Sequence, residues 1–191
     1  MEKNKQLKQY SWITAKIYSL ILLFDKNIFV LEYFKETIDK KSEILEIGSG
    51  TGKDYKSLSD NYNITGSDYS EAFLNILRKK FKGHEFLKLN VLTMNTAKKF
   101  DVIFSNKVLQ HLTPEQLKIS LAAQYNTLND GGILFHTIWK GDPETGKYDD
   151  LPDIRYRHED FMELKGKFEI VNYIEYKEFK NDDSFIIILR K

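Results

Sequence analysis

Three glycines at alternate positions, Gly48, Gly50 and Gly52, follow an acid, Glu46, set into the apolar run Ile44, Leu45, Ile47. Glycine permits positive φ and brings backbone N–H groups close to a ligand, and a helix starting behind the loop adds unpaired donors. Such a loop suits a nucleotide-like molecule. Asp68, 20 residues beyond Gly48, ends the next β-rich run, where a carboxylate can accept both hydroxyls of a ribose. The alternative role of Asp68 is to cap the following helix, although Ser70 can do that itself. His111 and His136 are candidate bases or substrate contacts, because imidazole titrates near neutral pH. Strand alternation also allows His136 to point into the core. The four histidines, His84, His111, His136 and His158, are scattered without a His-x-x-x-His pair, so no built-in metal site is expected. A loosely bound magnesium stays compatible with the sequence.

Spacing separates the ligand classes that use glycine loops. A P-loop needs glycine five positions before Gly52-Lys53, where Ile47 stands, and a hydroxyl after the lysine, where Asp54 stands. The dinucleotide fingerprint needs its third glycine at Lys53. Both patterns fail. Glu-x-Gly-x-Gly-x-Gly over 46–52 resembles motif I of the class I S-adenosylmethionine (SAM) dependent methyltransferases. That resemblance implies a SAM cofactor, with S-adenosylhomocysteine (SAH) as product, whose methionine part lies over Glu46, Gly48, Ser49, Gly50 and Gly52. It implies ribose and adenine contacts from Asp68, Tyr69, Asn90 and Val91, although the family commonly carries Asp where Asn90 stands. Ser105, Asn106 and Val108 then form a floor under the methyl group, with His111 just beyond. The family's Asn/Asp-Pro-Pro-Tyr/Phe motif is missing, which argues against methylation of adenine, cytosine or glutamine amino groups. Methyl transfer to oxygen or nitrogen of a small molecule is the expected activity. A non-catalytic SAM-binding or partner-binding module and an NAD-binding protein are the alternatives.

The elements that must position these residues follow from periodicity. Lys53 to Ser59 reads as a helix, Asn63 to Asp68 as a strand, and Ser70 to Phe81 as an amphipathic helix stopped by Gly83. His84 to Asn90 and Phe100 to Ser105 read as strands. Thr113-Pro114-Glu115-Gln116 is a helix start with a hydroxyl cap and Pro at the first position, and the helix is expected to run to about Asn129. Asn129 to Gly132 is a turn into a strand over Ile133 to Trp139, followed by a long loop from Lys140 to Arg157. Trp139, Arg155 and Tyr156 border this loop and are candidate walls of an acceptor pocket. A helix over Glu159 to Lys165 precedes two β-rich runs, Phe168 to Phe179 and Ser184 to Arg190. Their connection is too short for a crossover helix, so they must pair antiparallel. The expected fold is α/β: a Rossmann-like doubly wound seven-stranded sheet, mostly parallel with an antiparallel C-terminal strand, and helices on both faces.

Residues 10 to 38 repeat apolar side chains at three-to-four spacing, as one or two amphipathic helices do. In the resembled family an N-terminal helix often lids the site, and a sulfonium is attracted to aromatic faces, which makes Tyr10 and Trp12 candidate substrate contacts. At 191 residues one domain is expected, with 1–38 as helical cover and 42–191 as α/β core. The 29 basic and 28 acidic residues nearly cancel, so no global field draws the chain to nucleic acid or to an anionic membrane. The absence of cysteine fits a reducing cytoplasm. A cytoplasmic monomer or homodimer acting on a small molecule is the expectation.

Overall fold

The computed structural model describes residues 28–142, 145–148, 151–179 and 182–191. Strands β1 (Glu43–Ile47), β2 (Asn63–Asp68), β3 (Phe86–Lys88), β4 (Phe100–Asn106) and β5 (Leu128–Trp139) run parallel, and β8 (Glu169–Tyr176) and β9 (Ser184–Arg190) complete one seven-stranded sheet. Its order is β3-β2-β1-β4-β5-β9-β8, with β9 antiparallel to both β5 and β8. Strand order therefore reverses between β1 and β4, and the crevice beyond their carboxyl ends is where open α/β sheets bind ligands.

The strands are apolar on both faces because both are covered. Helices α1 (Ile28–Thr37), α2 (Lys53–Ser59) and α3 (Glu71–Lys80) bury Phe34, Tyr55, Leu58, Leu74 and Leu77 against Ile44, Val102, Phe104 and Phe135. On the other face α4 (Pro114–Thr127) and α5 (His158–Leu164) bury Leu117, Leu121 and Phe161 against Leu45, Ile103, Leu134 and Ile187. Each strand gives alternate residues to the two clusters, so Glu46 shares the face of Ile44 and lies on the α2 side.

The start of α4 has the expected capping box: Thr113 Oγ1 accepts from the Gln116 N–H at 3.3 Å, and Gln116 Oε1 accepts from the Thr113 N–H at 3.0 Å. Three segments differ from expectation. The third strand is shorter, because the His84 N–H closes the turn after α3 on Phe81 O at 3.2 Å, and Asn90 Oδ1 accepts from the Leu92 N–H at 2.8 Å in an Asx turn. The fifth strand begins earlier, at Leu128, and absorbs the expected turn through a register irregularity opposite Phe100 to Val102. The expected loop over 140–157 contains an antiparallel hairpin, β6 (Thr145–Tyr148) and β7 (Leu151–Ile154). Among the described residues no helix is long and apolar enough to cross a membrane.

Candidate active site

Beyond β1 the chain turns through Gly48, Gly50 and Gly52 with φ of 68°, 53° and 77°. A Cβ on Gly48 would stand 2.6 Å from Val108 Cγ2, so glycine is what lets this loop close on the segment after β4. Above Gly50 the nearest atom to such a Cβ is Gly48 O at 4.0 Å, which leaves the face of the loop open. The Gly50 N–H donates to Asp68 Oδ2 at 2.9 Å and the Ser70 N–H to Asp68 Oδ1 at 2.8 Å. Asp68 thus ties the glycine loop to the start of α3. Each carboxylate oxygen accepts more than one hydrogen bond, so capacity for ribose hydroxyls remains.

Glu46 lies under the loop, 3 % exposed, where Ser49 Oγ donates to its Oε2 at 2.5 Å. Burial, and then the negative charges of Asp54 and Asp68, push its carboxyl up to about 8 against the pull of Ser49. Burial pushes Asp68 up to about 6, opposed by backbone donors from Ser70, Gly50 and Tyr69. Three mutually repelling acids around an open loop call for a cation. SAM brings an ammonium and a sulfonium, whereas NAD and ATP bring phosphates into the same field. The residues therefore fit SAM: Glu46 and the glycine loop would hold its methionine part, and Asp68 with half-buried Tyr69 its nucleoside.

The tip of β4 forms the opposite wall. Asn106 Nδ2 donates to Asp54 Oδ2 at 2.7 Å, and Thr137 Oγ1 donates to Asn106 Oδ1. Lys107 adopts φ of 55°, a strained conformation for a side chain other than glycine, with its N–H held 3.2 Å from Thr137 O. A 3₁₀ turn follows at Leu109–His111. His111 Nδ1 lies 2.8 Å from Pro152 O on β7. A carbonyl only accepts, so Nδ1 carries the proton and Nε2 keeps its lone pair. Burial holds His111 below the usual imidazole range, against Pro152 and Asp153, so the ring is neutral at pH 7.

Other expected contacts take different places. His136 is fully buried on the α4 side, within a directional chain. Ser120 Oγ donates to Val91 O at 2.9 Å and accepts from Gln124 Nε2 at 3.0 Å. Gln124 Oε1 accepts from His136 Nε2 at 2.9 Å, which leaves His136 Nδ1 to accept from Ser105 Oγ at 2.8 Å. Burial drives the ring down to about 3, so it stays neutral. Both nitrogens are engaged, and the structure brings His136 and Ser105 into the interior rather than to the crevice. The same chain fixes the Val91 carbonyl, while Asn90 spends its carbonyl on the Asx turn. Tyr156 is also interior, donating to Leu112 O at 2.6 Å. Trp139 is half-buried, with Lys107 Nζ 3.9 Å and Arg155 Cζ 5.9 Å from its ring centroid. Tyr10, Trp12 and the N-terminal lid before Ile28 lie outside the described residues.

Two participants escaped the sequence reading. Lys107 pairs with Glu178 Oε2 at 3.0 Å and donates to Ser184 Oγ at 2.7 Å, joining β4 to the terminal strands. Gln110 is buried between Leu109 and His111, at 5 % exposure. Only the unusual lysine after Asn106 hinted at the first; nothing local marked the second.

Comparison with known proteins converges on the same ligand. A family profile described as "Methyltransferase domain" matches residues 45–134. The malonyl-[acyl-carrier protein] O-methyltransferase of Calditerrivibrio nitroreducens is 29 % identical over 177 residues, covering 86 % of this chain and 68 % of that protein. The trans-aconitate 2-methyltransferase of Rhodopseudomonas palustris is 29 % identical over 100 residues, 51 % of this chain and 38 % of that protein. The crystal structure of the Burkholderia thailandensis 1,6-didemethyltoxoflavin-N1-methyltransferase, with SAH bound, superposes with a TM-score of 0.73 at 13 % identity, covering 100 % of this chain and 93 % of that one. With the sheet order, the glycine loop under Glu46 and the acid at the tip of β2, these likenesses make the chain a class I S-adenosylmethionine-dependent methyltransferase.

Proposed function

We propose that the chain transfers a methyl group to an oxygen or nitrogen of a small-molecule acceptor, with His111 as the proton acceptor. SAM, when bound, supplies a methyl group on a sulfonium sulfur that departs as a neutral thioether. The chain then has to align the two reactants and, where the acceptor loses a proton, take it up. The carrying observation is the fixed tautomer of His111: Nδ1 is spent on Pro152 O, so Nε2 is a lone pair on a neutral ring just past the tip of β4. The 3₁₀ turn and β7 position that ring, and the contact of Val108 with Gly48 sets it beside the glycine loop. The relatives named above act on acceptors as different as a malonyl carrier protein, trans-aconitate and 1,6-didemethyltoxoflavin, so acceptor chemistry must be found by test.

The test is transfer from methyl-labelled SAM to a panel of amines, alcohols, phenols and carboxylates that includes malonyl thioesters and trans-aconitate. His111→Asn is expected to lower turnover and to remove an acid limb lying below pH 6.5 in the parent's pH–rate profile, with SAH affinity kept. An identical profile in both proteins removes His111 as the base. Tight SAH binding with no acceptor in any class would make the chain a SAM-binding module instead.

A further inference from the structure

The 3₁₀ turn carries three side chains at about 120° to one another, since this helix has three residues per turn. Leu109 points into the core with Leu45 and Ile47, and His111 points to β7. Gln110 takes the third direction. It is 5 % exposed, yet its Oε1 has no hydrogen-bond partner among the described residues. Buried side-chain oxygens left unpaired are rare in folded proteins and cost stability, so one at the mouth of a ligand crevice has a physical explanation if a ligand supplies the missing donor. The segment around it is already committed: Val108 closes on Gly48 on one side, and His111 is pinned to Pro152 on the other. Gln110 Oε1 and His111 Nε2 are therefore two hydrogen-bond acceptors on adjacent residues, neither of which meets a donor among the described residues.

We propose that Gln110 is an acceptor-binding residue, and that the methyl acceptor presents N–H or O–H hydrogens to it, as an amine, amide, alcohol or phenol does. This rests on the methyl-transfer reading above and narrows its substrate class. A group with hydrogens satisfies both positions: one hydrogen bond to Gln110 Oε1 orients the acceptor, while the proton that must leave points at His111 Nε2. As the new bond from nitrogen or oxygen to the methyl carbon forms and the sulfur–methyl bond breaks, that proton passes to Nε2. A carboxylate would set its lone pairs against both protein acceptors and has no proton to give, so it gains from neither residue.

The experiment compares the parent with Gln110→Met, which keeps the length of the side chain and removes the oxygen. Three readings are taken: melting temperature of the ligand-free protein, SAH dissociation constant, and label transfer from SAM to amine, hydroxyl and carboxylate probes built on matched carbon skeletons. The expected result is a higher melting temperature, because an orphaned buried carbonyl is gone, together with SAH affinity unchanged within twofold. Transfer to amine or hydroxyl probes should fall at least tenfold in kcat/KM. Unchanged transfer in the Met variant, or a lowered melting temperature, overturns the role of Gln110, and parent turnover confined to carboxylate probes overturns the substrate class. If no probe of any class is methylated while SAH still binds, the methyl-transfer reading fails. The melting comparison then decides Gln110 by itself, a loss making it a structural residue.

Discussion

Replacing Glu46 by Gln tests the electrostatic design of the cofactor loop in the free protein. The folded state raises this carboxyl from 4.5 to about 8, so it is protonated when folded and ionised when unfolded across that interval. A raised folded value stabilises fully below pH 4.5, and that stability is lost as pH rises through 8. Asp68 works in the same direction but only between 3.8 and about 6. His136, lowered from 6.5 to about 3, and His111, also lowered, act in the opposite direction and are spent by pH 6.5. Between pH 6.5 and 8 Glu46 therefore acts alone among these groups. One and a half pH units at 1.36 kcal/mol per unit gives a loss of about 2 kcal/mol in the parent. Gln accepts the Ser49 hydroxyl just as the acid does but cannot ionise, so Glu46→Gln should show almost no change over this interval. Urea unfolding at both pH values and constant ionic strength measures the difference, which corresponds to about 4–8 °C in melting temperature for a domain of this size. An equal fall in both proteins would refute the reasoning, because the burial and the two neighbouring acids would then not be acting on Glu46.

Cofactor binding should show the same linkage: an ammonium beside Glu46 favours its ionised form, so SAH binding at pH 7 should release protons and tighten as pH rises toward 8, measurable by calorimetry in buffers of different ionisation heat. Asp68→Ala removes the acceptor of the Gly50 and Ser70 N–H groups and of the ribose hydroxyls, and should weaken SAH binding by about 1.5 to 3 kcal/mol; unchanged affinity would leave Asp68 a cap only. Gln124→Leu strips His136 and Ser120 of their shared partner and should cost about 2 to 4 kcal/mol of stability by denaturant titration, with SAH affinity changed far less. Deleting residues 1–24 should lower methyl transfer far more than SAH affinity if the N-terminal segment lids the site, which parallel turnover and binding measurements would show.

The local signals were legible without coordinates. Glycines at 48, 50 and 52 need no tertiary context to demand positive φ, the Thr113 to Gln116 box closes within four residues, and the short link between the last two runs forces an antiparallel pair. From these, the order of elements and the glycine–carboxylate face of the crevice followed, because each depends on neighbours along the chain. The roles of the polar side chains did not follow. The sequence offered His111 and His136 as equivalent imidazoles; one is held by a carbonyl 41 residues away and the other by a serine 31 residues away and a glutamine across the sheet face. The hairpin β6–β7 was invisible in a Gly- and Asp-rich stretch whose strands pair mainly with each other, and it supplies the very carbonyl that sets the tautomer of His111. Gln110 looked like any residue of a turn. Whether a polar atom is paired, buried or left waiting for a ligand is a property of its surroundings in space, and those surroundings are assembled from distant parts of the chain only when the sheet closes around them.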